Sequence, residues 1–216
     1  MNEMFDSKMD NKNIGLLKNL FWLRQELDVY CLIAANKDSI NNKNVGKSFF
    51  VFLRRQCVDL IALNICKIYE YEKAYELNSV EGVLKHITDK CPSVLHSSHI
   101  DDFVCKYDGQ NKGEPLSALA STVAGFKKKY QNELERFKTH RDKEVAHSEF
   151  GFNLNDLPPY GVMECLFDFG LDFYMLVSRA FISVGPCNLN NDRKVKVSLK
   201  RMLQKLGLDE IKTKME

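Results

Sequence analysis

The eight residues from His140 to His147, HRDKEVAH, contain two imidazoles, one guanidinium, one ammonium group and two carboxylates. Groups of these types carry out much of the acid–base and phosphate chemistry in proteins. A histidine exchanges protons near neutral pH, and an arginine presents a charged fork that matches a phosphate. The segment ends a long helical pattern and is followed by the loop-like stretch GFNLNDLPP (151–159). It could be a solvated helix end, a metal site or a catalytic centre.

Arg141 is the residue of this segment that the helical pattern places on the inside. The apolar residues before it recur at spacings of three and four, at Leu119, Val123, Phe126, Tyr130, Leu134 and Phe137. One further step of four reaches Arg141. An unpaired buried charge is strongly destabilising. We therefore expect Arg141 to meet a carboxylate of a neighbouring helix, for instance Asp59 or Asp168, or to face a cleft that holds an anion.

His140, Glu144 and His147 fall on another face of the same helix, at spacings of four and three, which suits a metal ion. On a regular helix, Arg141 and His147 lie about 120° apart around the axis and about 9 Å apart along it. Both could therefore contact one phosphate only if the helix end is distorted or if a second subunit contributes its own pair.

The remainder of the chain predicts the helices that would position this segment. Apolar spacing and turn residues predict helices over 14–37, 47–74, 79–89, 92–105, 159–184 and 193–206, and one that runs from Pro115 into 140–147. Ser79 is suited to cap the third helix, and Pro115 to begin its own. The pattern predicts an all-α bundle of four long helices with short additional helices and a C-terminal helix. We expect a flexible lead over 1–12, a helical domain over 13–188 and a basic C-terminal helix and tail over 189–216.

Composition and charge narrow the class of protein. Hydrophobic residues make up 44% and charged residues 28% of the 216 residues, as in a soluble globular protein. The net charge of +2 gives little support for extensive nucleic-acid binding. Residues 193–216 are more basic, with eight Lys or Arg against three Asp or Glu, and form either a solvated helix or a contact for an acidic partner such as RNA.

Cysteine usage and hydropathy indicate the compartment. The seven cysteines are scattered and form no Cys-x-x-Cys pair, which is typical of a reducing environment with buried thiols. The polar N-terminus lacks an apolar signal core, and no apolar run is long enough to span a membrane. We therefore expect a cytoplasmic protein without a membrane association.

The sequence RDKEVAH (141–147) resembles the HEPN superfamily, and in particular its abortive-infection type, in which an Arg-(Asn/Asp)-Lys-x-x-Ala-His pattern recurs. The motif stands at the end of a long helix, as in that superfamily. The earlier helix FLRRQCVDLIALNICKIYE (52–70) is also similar to that type. The resemblance extends loosely over residues 16–184 and implies a HEPN-like helical bundle.

The resemblance also implies an activity. The protein would be a metal-independent RNA endonuclease that acts as a homodimer and serves as a toxin or antiphage effector. No cofactor is implied, and an antitoxin partner is typical of such systems. Arg141 and His147 would be the catalytic pair. His147 would exchange a proton with the ribose 2′-hydroxyl or the leaving 5′-oxygen, and Arg141 would stabilise charge on the phosphorus oxygens. The supporting residues would be Asp142, Lys143, His140 and Glu144.

Two alternatives remain open at this point. One is a non-catalytic HEPN-like module that binds RNA or a nucleotide or mediates an interaction. The other is a metal site at His140, Glu144 and His147, or, less plausibly, within 91–105, where two cysteines and two histidines do not match a usual zinc spacing. The segment NKNVGKS (42–48) ends like a phosphate loop, but it lacks the upstream glycine and follows no predicted strand, so we reject it.

Two further expectations concern the contact between subunits. The aromatic residues Phe49, Phe50 and Phe52 should pack in the core or, where they point outward, form that contact. The helix over 159–184 is apolar on nearly all sides and should lie at the centre of the bundle or in the same contact.

Overall fold

The computed structural model describes residues 5, 9, 11, 14–44, 46–90, 94–107, 113–146, 157–182, 189, 193–208 and 210–215, with the backbone alone for 144–146. Within these residues there are helices and turns and no β-strand, so the predicted all-α fold is confirmed. The helices are α1 (Gly15–Ala35), α2 (Lys37–Asn42), α3 (Lys47–Tyr69), α4 (Val80–Lys90), α5 (Ser98–Tyr107), α6 (Pro115–Lys129), α7 (Gln131–His140), α8 (Tyr160–Val177) and α9 (Lys194–Lys205). A 3₁₀ segment spans Lys73–Asn78, and π-helical segments extend α7 (Arg141–Ala146) and α8 (Ser178–Ile182). None of the helices in the described part combines the length and the apolar character that crossing a membrane requires.

The antiparallel pair α1 and α3 forms the frame of the bundle, and α8 packs against both. The apolar stripe of α1 is fully buried, at Leu16, Leu20, Leu23 and Leu27. Gly170 lets α8 approach closely, because a Cβ at this position would lie 3.0 Å from Leu20 Cδ2 and 3.4 Å from Ile68 Cγ2. α8 therefore lies at the centre of the bundle, as its apolar sequence predicts.

Several helix boundaries differ from those predicted. The long helix from Pro115 is divided, because Tyr130 leaves helical geometry (φ −105°, ψ 20°) between α6 and α7. α3 ends at Tyr69 and not at 74, because Glu70 has an extended backbone. The short helix α2 lies between the predicted helices 14–37 and 47–74, where no helix was predicted. The capping prediction is confirmed at Ser79, whose hydroxyl accepts a hydrogen bond from the Gly82 N–H at 3.1 Å.

Both ends of the chain contribute to the core where they are described. Phe5 and Met9 belong to the stretch expected to be a flexible lead, but they are buried, and Phe5 stacks on His86 with ring centroids 4.6 Å apart. The basic helix α9 packs on α1 and buries Leu199 and Leu203. The helix thus packs on α1 through one apolar edge, while its basic residues Lys194, Lys200 and Arg201 stay exposed.

Candidate functional site

Arg141 stands where α7 changes from α-helical to π-helical geometry, and two carboxylates hold its guanidinium. Its Nε donates a hydrogen bond to Asp142 Oδ1 at 2.8 Å, and its Nη2 lies 2.7 Å from the same oxygen. Its Nη1 donates to Glu70 Oε2, from the residue that follows α3. The side chain remains 23% exposed. The guanidinium is therefore fixed between two elements while one side stays accessible to solvent.

The two carboxylates also set the charge state of Arg141. Partial burial alone would lower the pKa of Arg141, but the hydrogen bonds to Asp142 and Glu70 outweigh it and raise that pKa. The same cluster lies against Cys66, where burial and the nearby Glu70 raise the thiol pKa to about 12. The site thus presents a permanent cation beside a neutral thiol.

His140 contacts α3 at a different level from this ion pair. Its Nε2 is 2.7 Å from Asp59 Oδ1, and its side chain is only 1% exposed. Asp59 lies within α3 and Glu70 is the residue that follows it, eleven positions later, so the two acidic partners stand at different levels along the helix axis. His140 and Arg141 therefore reach in opposite directions along α3, and together they fix the end of α7 on that helix.

The π-helical segment Arg141–Ala146 changes the geometry expected for the motif. Hydrogen bonds from i to i+5 widen the turn, and such segments occur mostly as single turns at functional sites. The separation of about 120° between Arg141 and His147 assumed a regular α-helix. It no longer applies, because the helix end is distorted, which was one of the two conditions for a shared phosphate. His147 and the side chain of Glu144 lie outside the described residues.

The structure thus brings together part of the predicted site. His140, Arg141 and Asp142 are held at one helix end, and Lys143 is exposed beside them. Arg141 has the carboxylate partner expected for it, but neither of the two residues given as examples, Asp59 and Asp168, is that partner. Asp59 binds His140 instead. Asp168 lies on α8, where burial and the nearby charges of Asp172 and Glu164 raise its pKa.

Glu70 is the site residue that the sequence analysis missed. It is separated from Arg141 by 71 positions, so no local spacing connects the two. The only signal in the sequence is that the apolar pattern of 52–70 ends at this glutamate, where a helix terminus could be expected. The pairing depends on how α3 crosses α7, which is a tertiary relation.

The residues of the two metal alternatives lie partly outside the described part of the chain. In the described part of the chain no group of three His, Cys, Asp or Glu side chains could hold a metal ion. The first alternative includes His147 and the side chain of Glu144, and the segment 91–105 includes residues 91–93, all of which lie outside that part.

Comparison with known proteins gives one family. The family model of AbiU2, a HEPN family, matches residues 6–196 of the 216 residues. This range includes α3, α7 and the whole of HRDKEVAH. No curated protein and no solved structure matches the chain.

Proposed function

The chain belongs to the AbiU2 family of abortive-infection HEPN proteins, and we propose that it is a metal-independent endoribonuclease that acts as a toxin or antiphage effector. One observation supports this proposal best. Arg141 is held charged and partly exposed at a distorted helix end, six positions before His147. A guanidinium fixed in advance can stabilise charge that develops on a phosphate without reorganisation during the reaction.

In the proposed reaction the RNA supplies its own nucleophile. The ribose 2′-hydroxyl attacks the adjacent phosphorus, its proton is removed, and the bond to the 5′-oxygen of the next nucleotide breaks as that oxygen gains a proton. His147 transfers these protons, as histidines commonly do in general acid–base catalysis. Arg141 binds the phosphorus oxygens through the fork that Asp142 and Glu70 hold in place. The products are a 2′,3′-cyclic phosphate and a 5′-hydroxyl end.

The supporting residues divide according to their exposure. Asp142 contacts Arg141 directly and is a positioning residue. His140 is buried against Asp59, so it positions the end of α7 and does not contact RNA. Lys143 is exposed and contacts a flanking phosphate in this proposal. Glu144 stays an auxiliary residue without a further assignment.

The charge of the cluster determines how a phosphate reaches Arg141, whether the RNA is cut or only bound. Glu70 and Asp142 together carry more charge than the guanidinium they bind, so the isolated cluster is not cationic. A phosphate must therefore displace or share at least one of these ion pairs. Both carboxylates are partly solvated, and exposed ion pairs are weak, at about 1 kcal/mol or less. A phosphate of a bound RNA can therefore displace one of these carboxylates at little cost in free energy. The non-catalytic alternative differs in predicting RNA that is bound and never cut.

Cleavage in the presence of EDTA tests the proposed function. Purified protein is incubated with total RNA in excess chelator, and the fragment ends are mapped. We expect fragments with 2′,3′-cyclic or 3′-phosphate ends and 5′-hydroxyl ends, because the ribose hydroxyl and not a metal-bound water is the nucleophile. Intact RNA after incubation with correctly assembled protein would argue for the binding module, and activity that requires added metal would contradict the mechanism.

The homodimer belongs to the same proposal, and α3 offers a surface for it. Four residues at spacings of three, four and four line its solvent side, Phe49, Phe52, Gln56 and Leu60, which we term the α3 outer face. Phe49 is 53%, Phe52 59% and Leu60 44% exposed, whereas Phe50 is buried. A phenylalanine buries about 150–250 Å² when fully covered, so each ring leaves about 100 Å² of apolar surface in water. Such a patch commonly marks an interface.

The position of this face relative to the site favours a second copy as its partner. The α3 outer face ends at Leu60, next to Asp59, which binds His140 of the candidate site. An apolar face can pair with itself about a two-fold axis. A second copy bound there would therefore bring its own Arg141 towards the first, which meets the second condition for two Arg–His pairs in one cleft.

Phe52→Glu should convert the dimer to a monomer, because it places a charge at the centre of the α3 outer face. The matched control is Val51→Glu, since Val51 is 60% exposed on the same helix but points away from that face. Light scattering coupled to size exclusion gives the mass of each variant. A wild-type protein that is monomeric at micromolar concentration, or equal dissociation by both substitutions, would exclude this surface as the dimer contact.

A further inference from the structure

A groove of about 830 Å³ opens beside the Arg141 ion pair, between the end of α3 and helices α4, α6 and α7. Its apolar lining includes Leu84, Val123 and Leu134, and the small residues Ala120 and Ala124 leave it open along α6. The volume lies within the range of sites for small organic ligands, about 300–1,000 Å³. The groove is thus large enough for a nucleotide.

The groove is continuous with the candidate site. Glu70 lines the groove and also accepts the hydrogen bond from Arg141. Lys138 lines it from α7, three positions before Arg141, which is less than one turn and about 4.5 Å along the helix. An RNA strand that occupies the groove therefore passes Lys138 immediately before it reaches the Arg141 guanidinium.

The charged residues of the lining balance, with Lys127, Lys128 and Lys138 against Glu70, Glu81 and Glu135, and the internal ion pairs decide which of them are available to a ligand. Glu70 is paired with Arg141, and Glu81 with Lys127. The remaining charged residues of the lining are Lys128 and Lys138 against Glu135. A further cation stands at the edge, where the Lys85 ammonium lies 5.3 Å from the centroid of the Tyr71 ring, which also lines the groove. Apolar walls with a cationic edge match the two halves of a nucleotide, a flat base and a phosphate.

We propose that this groove binds an unpaired nucleotide of the RNA strand next to the scissile phosphate, a proposal that rests on the proposed ribonuclease function. The base packs against Leu84, Val123 and Leu134, and the flanking phosphate contacts Lys138 and Lys128. Apolar packing and backbone contacts of this kind form no hydrogen bonds to the edges of the base, so the groove selects single strands over duplexes and does not read sequence.

Binding of an RNA that cannot be cut tests the groove separately from catalysis. The probe is a short single-stranded oligonucleotide with 2′-O-methyl riboses, in which the nucleophile is blocked. Ala124→Trp fills the groove, and the double substitution Lys128→Glu, Lys138→Glu reverses its charge. The matched controls are Ser121→Trp, on the exposed side of α6 outside the groove, and Lys37→Glu, at the opposite end of the α1–α3 pair. Circular dichroism and thermal unfolding establish that each variant folds.

We expect both groove variants to weaken binding of the oligonucleotide by about tenfold or more, and the two controls to leave it within about twofold. Equal binding by wild type and groove variants would overturn the proposal, and so would a wild type that does not bind single strands. Adenosine monophosphate is the second probe. If it binds tightly in the groove and the oligonucleotide does not compete, the ligand is a free nucleotide and the RNA assignment is wrong.

The two proposals fail in different ways. If RNA binding depends on the groove but ordinary RNA is not cut, the proposed ribonuclease function is wrong and the groove remains an RNA-binding site. If Ala124→Trp still cuts RNA with an unchanged KM, the proposed ribonuclease function stands and the assignment of the groove as an RNA-binding site is wrong.

Discussion

Arg141→Ala should reduce the rate of RNA cleavage by about 10³-fold, because it removes the group that stabilises charge on the phosphorus oxygens. The fold should survive. The two carboxylates that bind Arg141 are partly solvated, and loss of exposed ion pairs costs about 1 kcal/mol or less. Single-turnover cleavage of a defined RNA measures the effect, and thermal unfolding confirms that the variant is folded.

Arg141→Lys separates charge from geometry. Lysine keeps the positive charge but has no planar fork, so it cannot bind Glu70, Asp142 and a phosphate at once. We expect it to recover only a small part of the activity that Arg141→Ala loses. A lysine variant with nearly wild-type rate would show that any cation suffices, and the role of the two carboxylates as positioning residues would then be wrong.

The catalytic pair should also behave as one unit. His147→Ala should lower the rate about as much as Arg141→Ala, and the double variant should lose little more than either single variant, because residues that act in one step are not additive. Lys143→Ala is the control from the same motif. It removes only a flanking phosphate contact, so it should raise KM and weaken the salt dependence while kcat changes little. Independent effects of Arg141 and His147 would contradict a shared transition state.

The helices were predictable because their signal is local. The stripe from Leu119 to Phe137 repeats every three or four residues, and the structure buries Leu119, Val123, Phe126 and Phe137 as the spacing requires. The break at Tyr130 was not predictable from the stripe, because the apolar spacing continues through it. Periodicity gives the inward face of a helix, but it does not distinguish one helix from two that share that face.

The candidate site was predictable only in part, because a motif fixes neighbours in sequence and not partners in space. Arg141 was expected to need a carboxylate because of its place on the stripe, and it has one. That the carboxylate is Glu70 and not Asp59 depends on how far α3 extends past the crossing with α7. The π-helical geometry of Arg141–Ala146 likewise has no signature in residue type. The outward direction of Phe52 followed from neither composition nor spacing, since Phe50, two positions away, is buried.

Besides the buried Leu199 and Leu203, ion pairs to Asp28 of α1 attach the basic C-terminal helix. Its carboxylate is completely buried and binds Arg24 of the same helix together with Arg193 and Lys196 at the start of α9, with 2.8 Å from Arg193 Nε to Oδ2. The charge pattern of 193–216 suggested a solvated helix or an RNA contact. Two of its cations are instead used inside the protein, which reduces the charge available to an acidic partner.

Asp28→Ala should lower the free energy of unfolding by about 3–5 kcal/mol, because removal of one partner from a buried ion pair leaves the other charges without compensation. The loss should be largest where α9 meets α1, so α9 should become the first site of limited proteolysis. Asp38→Ala is the matched control, since Asp38 is exposed on α2, and it should change stability by less than about 0.5 kcal/mol. Equal losses from both substitutions, measured by chemical denaturation, would show that the buried cluster is not what attaches α9.

The charge of Asp28 makes the stability that it contributes depend on pH, which packing alone would not do. Burial by itself would raise the pKa of Asp28, but the hydrogen bonds from Arg193 and Arg24 outweigh it and lower that pKa below its value of 3.8 in the unfolded chain. A carboxyl group with a lowered pKa stabilises the fold above its unfolded pKa, and this contribution is lost as the pH falls through the folded pKa. The difference in unfolding free energy between wild type and Asp28→Asn should therefore be constant near neutral pH and shrink on acidification below about pH 4. A difference that stays constant down to pH values where both chains unfold would mean that Asp28 acts through its shape and hydrogen bonds and not through its charge.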